Sequence, residues 1–224
     1  MKQVMVGTPS LTGDIWFDYH NSYVHSIVLA ARDGWSVQTN GMSQNSLINY
    51  ARAIIGQDFW ESDCDVLFFV DSDLSWNPEG FLRILNTPLD VIGGAYPVKQ
   101  EGVEHKFHIK VTEAPPKKTN GSNLPLLVKT TKIAGGFVKI TRGAMERMRD
   151  AYPELKANYR GREIYMLWDT MIVKGEPLGE DFSFCQRWTD IGGEIYVDPD
   201  IDFGHYGRKV FRGNFLRDVI QKEP

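Results

Sequence analysis

The most restrictive feature of the sequence is a run of five consecutive apolar residues, Val-Leu-Phe-Phe-Val, at positions 66–70. A strand that is apolar on both of its faces is typical of the centre of a parallel sheet that helices cover on both sides. Over residues 1–98, short β-rich runs alternate with helical patterns. That alternation predicts an α/β fold in which a mostly parallel central sheet lies between two layers of helices.

The spacing of apolar residues predicts the individual elements. Strands are expected at residues 4–7, 35–39, 65–70, 90–96, 135–140 and 194–197. Helices are expected at residues 16–31, 46–57, 78–85, 141–151 and 179–191. Residues 99–132 are expected to form a loop or loose hairpin, residues 152–178 an irregular segment, and the tail from residue 198 a loop. We expect one domain over residues 1–224, with its two halves at 1–98 and 99–224.

The composition excludes several classes of protein. Of the 224 residues, 42% are hydrophobic and 24% are charged, which excludes a disordered chain and a collagen-like fibre. No apolar run approaches the roughly 20 residues needed to cross a bilayer, and the first residues lack the apolar core of a signal peptide. Cys64 and Cys185 are expected to be free buried thiols. We therefore expect a cytoplasmic location and no membrane partner.

The net charge of −4 conceals an uneven distribution along the chain. Residues 1–98 carry a net charge of −7, residues 99–142 carry +6, and residues 143–224 carry −3. A basic segment therefore lies inside an acidic protein, and its function needs an explanation.

The buried strand at 65–70 is followed directly by Asp71-Ser72-Asp73. Ligands of open α/β sheets bind beyond the carboxyl ends of the strands, and two carboxylates one residue apart can converge on Mg²⁺ or Mn²⁺. The pattern alone is weak, because Asp-x-Asp also occurs at positions 63–65, 198–200 and 200–202. The alternative interpretation is that Asp73 only caps the turn before Pro78.

Two further segments carry groups suited to chemistry. Glu180 and Asp181 open a predicted helix, where they can act as a general base or only complement the helix dipole. His205 lies between glycines and is a candidate third metal ligand. The basic tail over residues 204–217, with Lys209 and Arg212, is suited to a diphosphate or is a solvated surface.

Gly135-Gly136 precedes another predicted strand. Such a pair either admits a ligand close to the backbone or only makes a tight turn.

The order of these pieces resembles the GT-A glycosyltransferases, Rossmann-like α/β/α enzymes that use nucleotide sugars. The matching segments are residues 4–9, 49–52, 65–73, 135–140, 179–188, 198–199 and 204–207. The resemblance implies transfer of a sugar from a nucleoside-diphosphate sugar, with a UDP-linked donor expected, to an acceptor hydroxyl. It also implies a Mn²⁺ or Mg²⁺ cofactor.

The resemblance assigns roles residue by residue. Nucleotide or sugar contacts are expected from Thr8, Pro9, Arg52, Asp71 and Ser72. Asp71, Asp73 and His205 are the expected metal site, in which Asp73 is the direct ligand and Asp71 also touches ribose or sugar. Asp181 is the expected base, with Glu180 beside it.

The acceptor is open. A cytoplasmic glycan is one candidate, and a hydroxymethylated base in DNA, as modified by bacteriophage enzymes in the host cytoplasm, is another. Lysines of the basic segment could follow a DNA backbone: Lys99, Lys106, Lys110, Lys117, Lys118, Lys129 and Lys132. The alternative is a solvated loop.

Two other functions remain open. A nucleotidyltransferase acting on a sugar phosphate would need a glycine-rich phosphate loop, for which residues 7–13 offer a poor match. The other is a non-catalytic nucleotide-sugar-binding module.

Overall fold

The computed structural model describes residues 1–43, 45–100, 106–107, 109–111 and 127–221, with the side chains of residues 110 and 111 excepted. Strands and helices alternate in the first half, as predicted. The elements are β1 (Lys2–Ser10), α1 (Phe17–Arg32), β2 (Trp35–Ser43), α2 (Ile48–Trp60), β3 (Val66–Val70), β4 (Leu74–Trp76), α3 (Pro78–Asn86) and β5 (Val91–Gly94).

The second half contains more strands than the sequence predicted. Its first elements are β6 (Ile109–Val111), β7 (Val128–Ile133), β8 (Phe137–Thr141), α4 (Arg142–Ala151) and a 3₁₀ turn at Pro153–Leu155. Two hairpins follow, β9 (Lys156–Tyr159) with β10 (Arg162–Tyr165) and β11 (Met171–Val173) with β12 (Glu176–Leu178). The last elements are α5 (Glu180–Asp190), β13 (Ile195–Asp198), β14 (Phe203–Tyr206), β15 (Val210–Gly213) and a π-helical turn at Leu216–Ile220.

Three stretches predicted as irregular therefore contain strands. In β7, Val128 and Thr130 are buried while Lys129 between them is exposed, so the lysines obscured the alternation of the strand. The tips of the two hairpins are Arg160-Gly161 and Lys174-Gly175, in which both residues have positive φ, and they differ from the usual Asn-Gly signal. In the tail, β14 pairs with β4 and β15 in a separate three-stranded sheet.

The central sheet confirms the predicted fold class. Within the described residues it has eight strands in the order β2-β1-β3-β8-β5-β13-β7-β6. The pairings make six of these strands run in one direction, with β8 and β7 opposed, so the sheet is mixed and mostly parallel. Both halves of the chain contribute strands to this one sheet.

Helices cover both faces of the central sheet, and they bury the apolar side chains that β3 presents on each face. Val66, Phe68 and Val70 pack in a core with residues of α1 and α3. Leu67 and Phe69 pack on the other side in a core with residues of α2, α4 and α5. The result is the expected α/β/α sandwich.

Two other predictions can be compared with the described residues. Cys64 and Cys185 are both free and buried, as expected. No helix within the described ranges is long and apolar enough to span a bilayer.

Candidate active site

Several chain segments meet at one edge of the central sheet. Strands β1, β3, β5 and β13 run in the same direction, so their carboxyl ends share this edge, and β8, which runs oppositely, begins there. The backbone N–H of Asp71, directly after β3, donates to the carbonyl of Gly136, directly before β8, at 2.8 Å. The Asp71-Ser72-Asp73 segment therefore lies where the position of the central strand predicted a ligand site.

Asp73 lies between two basic side chains. Its Oδ1 is 3.6 Å from Nε2 of His205, and its Oδ2 contacts the ammonium of Lys99. The β14–β4 pairing places His205 opposite Leu74, one residue after Asp73. Burial would raise the pKa of Asp73, but hydrogen bonds from His205 and Lys99 outweigh it and lower that pKa. The alternative, that Asp73 only caps the turn before Pro78, has less support, since the described contacts of its carboxylate are with His205 and Lys99.

The geometry of Asp73 and His205 fits a divalent cation. Nδ1 of His205 is 2.7 Å from the carbonyl oxygen of Pro97, which can only accept, so Nδ1 donates and Nε2 is the ring nitrogen that faces Asp73. Two ligands bound at about 2.1 Å to one ion lie roughly 3–4 Å apart, and the observed separation is 3.6 Å. Within the described residues, no group of three or more His, Cys, Asp or Glu side chains is arranged to hold a metal. A cation here would therefore take further ligands from substrate oxygens.

Asp71 is directed away from this pair and toward Arg52. One terminal nitrogen of Arg52 donates to Oδ1 of Asp71 at 3.1 Å, and the other donates to the carbonyl of Gly135 at 3.1 Å. The same side chain lies 3.5 Å from Oδ1 of Asp181. Arg52 is only 1% exposed, so its guanidinium contacts the two candidate acids, Asp71 and Asp181, from the protein interior. A contact between Arg52 and a nucleotide remains a prediction.

The ion pairs set the charge state of this cluster. Burial would lower the pKa of Arg52, but Asp71 and Asp181 outweigh it and raise that pKa, so the guanidinium stays charged. Burial raises the pKa of Asp71 above the ordinary value, although Arg52 opposes the shift.

Asp181 has the protonation behaviour of a general base. It lies in the first turn of α5, which has no side-chain cap, and its side chain is 21% exposed. Burial raises the pKa of Asp181 to about 6, with Arg52 lowering it and the neighbouring Glu180 raising it further. A carboxyl with this pKa is ionised at neutral pH and basic enough to receive a proton from a hydroxyl.

Gly135 and Gly136 allow the two carboxylates to approach the backbone. A Cβ on Gly135 would overlap Oδ1 of Asp181, and a Cβ on Gly136 would overlap Oδ2 of Asp71 and the hydroxyl of Tyr96. The hydroxyl of Tyr96 also accepts a hydrogen bond from the N–H of Gly136 at 3.1 Å. The glycine pair lies in a turn, and protein side chains approach its backbone closely; the approach of a ligand there stays a prediction.

A cavity of about 590 Å³ opens over Asp71, Ser72 and Asp73. Pro9 and Trp16 are in its wall, and Trp16 stacks on Tyr206 with ring centroids 5.1 Å apart. Thr8 lines an adjoining cavity of about 480 Å³, where its hydroxyl bonds to that of Tyr19 at 2.6 Å.

The other residues predicted for the site either line different cavities or lie outside the residues that the structure describes. Arg212 lines a cavity beside β4 with Asp202 and Arg217, and neither it nor Lys209 is among the described residues that line the cavity over Asp71–Asp73. Lys117 and Lys118 lie outside the described residues, as does the side chain of Lys110.

Three residues at this site belong to no motif in the sequence. Lys99 is predicted only as a contact to DNA, and Trp16 and Tyr96 lie in a predicted helix and a predicted strand. Tyr96 and Lys99 follow β5, whose carboxyl end lies at the same sheet edge as that of β3. Their position after a parallel strand was the available signal.

Comparison with known proteins supports the fold. No protein-family model matches the sequence, and a search of curated proteins gives no significant match. Among solved structures, A197 from STIV matches with a TM-score of 0.56 and 17% identity, over 96% of this chain and 95% of that one. S. aureus TarS 1–349 matches with a TM-score of 0.46 and 16% identity, over 88% of this chain and 58% of that one. GalNAc-T7 with UDP, GalNAc and Mn²⁺ matches with a TM-score of 0.47 and 13% identity, over 91% of this chain and 43% of that one.

The match to A197 extends over nearly the whole of both chains, whereas this chain spans less than two thirds of the TarS and GalNAc-T7 structures. The likeness to A197, at 17% identity, shows a shared fold and leaves the activity to be argued from the site. The fold class predicted from the sequence, an α/β/α sandwich with a mostly parallel central sheet, is confirmed, and its assignment to the GT-A type stays a prediction.

Proposed function

We propose that this protein transfers a sugar from a nucleoside-diphosphate sugar, expected to be UDP-linked, to an acceptor hydroxyl. The observation that carries the proposal is the meeting, at one sheet edge, of the Asp73–His205 pair and the base candidate Asp181, which Arg52 connects through Asp71. Three segments far apart in sequence thus supply the two functions the reaction needs, neutralisation of a diphosphate and removal of a proton.

The donor fits the cavity over Asp71-Ser72-Asp73. Its volume of about 590 Å³ suits a nucleotide-sized ligand, and its wall combines apolar rings with carboxylates. Asp73 and His205 would hold Mn²⁺ or Mg²⁺ together with donor phosphate oxygens. When bound, the ion supplies positive charge that stabilises the leaving nucleoside diphosphate.

Asp181 takes the proton of the acceptor. As the acceptor oxygen forms a bond to the anomeric carbon, the bond from that carbon to the diphosphate breaks, and the hydroxyl proton moves to the Asp181 carboxylate. Arg52 keeps Asp181 ionised by opposing the effect of burial, and it holds Asp71 and Asp181 at fixed positions. Glu180 raises the pKa of Asp181 and so adjusts the base toward neutral pH.

The experiment is a screen of labelled nucleotide sugars, with and without Mn²⁺, that measures release of nucleoside diphosphate. We expect release with at least one donor, loss of release in Asp73→Asn and in excess EDTA, and loss in Asp181→Asn with donor binding retained. Asp150→Asn is the matched control, because Asp150 is exposed and pairs only weakly with the adjacent Arg149 at 3.5 Å. Release of pyrophosphate would instead identify a nucleotidyltransferase, and donor binding without any release would identify a binding module.

The geometry of the first strand gives little support to the alternative function, that of a nucleotidyltransferase. Residues 7–10, which would begin its phosphate loop, belong to β1 and pair with β2 in regular parallel register. A strand paired in this way does not direct successive N–H groups at one phosphate, as a phosphate loop must.

The acceptor is proposed to be a cytoplasmic glycan or a hydroxymethylated base in DNA. The lysines of the basic segment differ in availability for a DNA backbone. Lys99 pairs with Asp73, and Lys129 pairs with Glu194. Lys106 lines a second cavity beside the site, and Lys132 lies against Phe182 in the wall of that cavity. These two lysines therefore bear on which acceptor the protein binds.

A further inference from the structure

Asp73 lines one cavity and His205 lines another, and the charges of the two linings differ in sign. The donor cavity is lined by Asp14, Asp71 and Asp73, with no lysine or arginine among its described lining residues. The second cavity has a volume of about 750 Å³ and is lined by Lys99, Lys106 and His205, with no carboxylate among the lining residues that are described. The second cavity is therefore suited to an anion.

We propose that this second cavity, which we call the lysine cavity, binds a phosphate group of the acceptor. The proposal rests on the proposed transferase function and names the chemistry of its acceptor. Lysine ammonium groups on flexible stems are common phosphate ligands, and an apolar floor strengthens their attraction by excluding water. Phe107 and Phe182 supply such apolar surface here.

A third ammonium lies near the cavity. Nζ of Lys132 is 5.6 Å from the centre of the Phe182 ring, which itself lines the lysine cavity. Two lysines therefore line the cavity, and a third lies against an aromatic ring of its wall.

The position of Phe182 assigns the anion to the acceptor. Phe182 directly follows Asp181, the proposed base, so the lysine cavity lies beside the helical turn that carries the base and that the acceptor hydroxyl must approach. The diphosphate of the donor belongs with Asp73 in the other cavity. A phosphate held by Lys99 and Lys106 is therefore a different group, carried by the molecule that presents the hydroxyl.

Lys99 couples the two cavities. Its ammonium contacts Asp73, so an acceptor phosphate competes with that carboxylate for Lys99. Removing the charge of Asp73 should release Lys99 and strengthen phosphate binding. This effect can be measured on the protein alone, without a donor or a reaction.

The test is calorimetric titration of inorganic phosphate into the full chain, with donor and metal absent. We expect Lys106→Ala and Lys99→Ala each to lower the affinity by about tenfold, since each removes one charge-assisted hydrogen bond. Asp73→Asn should raise the affinity by several fold. Lys129→Ala is the control: Lys129 belongs to the same basic segment and pairs with Glu194, but it is not among the residues that line the cavity.

Absence of phosphate binding, or binding that Lys106→Ala leaves unchanged, would overturn the proposal. Equal losses in Lys106→Ala and Lys129→Ala would also overturn it, because they would indicate diffuse attraction to a basic surface. A single-stranded oligonucleotide is titrated in parallel. Tighter binding than inorganic phosphate, lost in the same variants, supports the site and assigns it to nucleic acid; equal binding supports it and assigns it to a small phosphorylated acceptor.

The result of the phosphate titration can be distinguished from the result of the nucleotide-sugar screen that tests the proposed function. Phosphate binding at the lysine cavity with no nucleoside diphosphate released from any donor would leave the site in place and reject the transferase. Transfer to a phosphorylated acceptor with a KM for that acceptor that Lys106→Ala does not change would reject the site alone.

Discussion

The guanidinium of Arg52, buried in α2, lies 3.5 Å from the carboxylate of Asp181 while it donates to Asp71 at 3.1 Å. One cation thus stabilises two carboxylates that would otherwise repel each other in a largely buried space. Removing one partner of a buried ion pair leaves the other charge uncompensated, which costs more than the pair itself contributes.

We expect Arg52→Met to lower the free energy of unfolding by about 3 kcal/mol near pH 8. The loss should be smaller at pH 5. Burial already raises the pKa of Asp71 and Asp181, and without Arg52 both would rise further, so the carboxyls take up protons as the pH falls and the repulsion disappears. Urea unfolding at both pH values measures this difference.

Arg162→Met is the matched control for Arg52. Arg162 also pairs with two carboxylates, those of Asp58 and Glu61, but it is 37% exposed. Its loss should cost about 1 kcal/mol or less at either pH. A loss in Arg52→Met that is equally small, or that does not depend on pH, would contradict the role assigned to the buried cluster.

The rate of transfer should depend on the ionisation of Asp181. The base must be deprotonated, and burial raises its pKa to about 6, so kcat/KM should increase with pH through about pH 6 and then level off. Glu180 raises that pKa, so Glu180→Gln should move the rising limb to lower pH. The measurement is a pH profile of kcat/KM for both proteins.

Glu176→Gln is the control for the pH profile, because Glu176 is an exposed residue of β12 near the same helix. Its rising limb should coincide with that of the unaltered protein. An unshifted limb in Glu180→Gln would show that the group titrating near pH 6 is not Asp181.

The central part of the site could be predicted from the sequence because it follows from local pattern. The run at residues 66–70 is apolar on both faces, which requires a central strand, and the residues after such a strand lie at the ligand-binding edge. That argument places Asp71 and Asp73 without any knowledge of their partners.

The contacts around those two residues could not be predicted, since they depend on tertiary packing. Lys99 is 26 residues from Asp73 and Arg52 is 83 residues from Gly135, and no local pattern indicates either contact. The nucleotide contact expected of Arg52 follows from the resemblance to the GT-A glycosyltransferases, and its protein partners are visible only in the fold. Strand β7 was missed for a different reason, because its exposed lysines made a buried strand resemble a solvated loop.

The wall of the donor cavity provides a test of nucleotide binding. Trp16 is 45% exposed, stacks on Tyr206 and presents its ring to the cavity over Asp71–Asp73. Trp16→Ala should weaken nucleotide binding by about tenfold, since a stacked aromatic contact contributes about 1 kcal/mol beyond its buried area. Trp16→Phe should restore most of the affinity.

Ile172→Ala is the control for Trp16, as Ile172 is 74% exposed and lies in the β11–β12 hairpin. Calorimetric titration of UDP measures all three variants. Unchanged affinity in Trp16→Ala would place the nucleobase elsewhere, with the adjoining cavity beside Tyr19 and Tyr23 the first alternative.

Gly136 offers the sharpest test of how the site is assembled. A Cβ at this position would overlap the carboxylate of Asp71 and the hydroxyl of Tyr96, and the backbone of Gly136 bonds to both residues. Gly136→Ala should therefore displace Asp71, abolish transfer and lower the free energy of unfolding by about 1–3 kcal/mol through overpacking.

Gly143→Ala, in α4, is the matched control, because nothing lies within 4 Å of its added Cβ. That substitution should raise the free energy of unfolding by about 0.5 kcal/mol, since alanine favours a helix, and it should leave transfer unchanged. Full transfer activity in Gly136→Ala would mean that the position of Asp71 does not matter for the reaction.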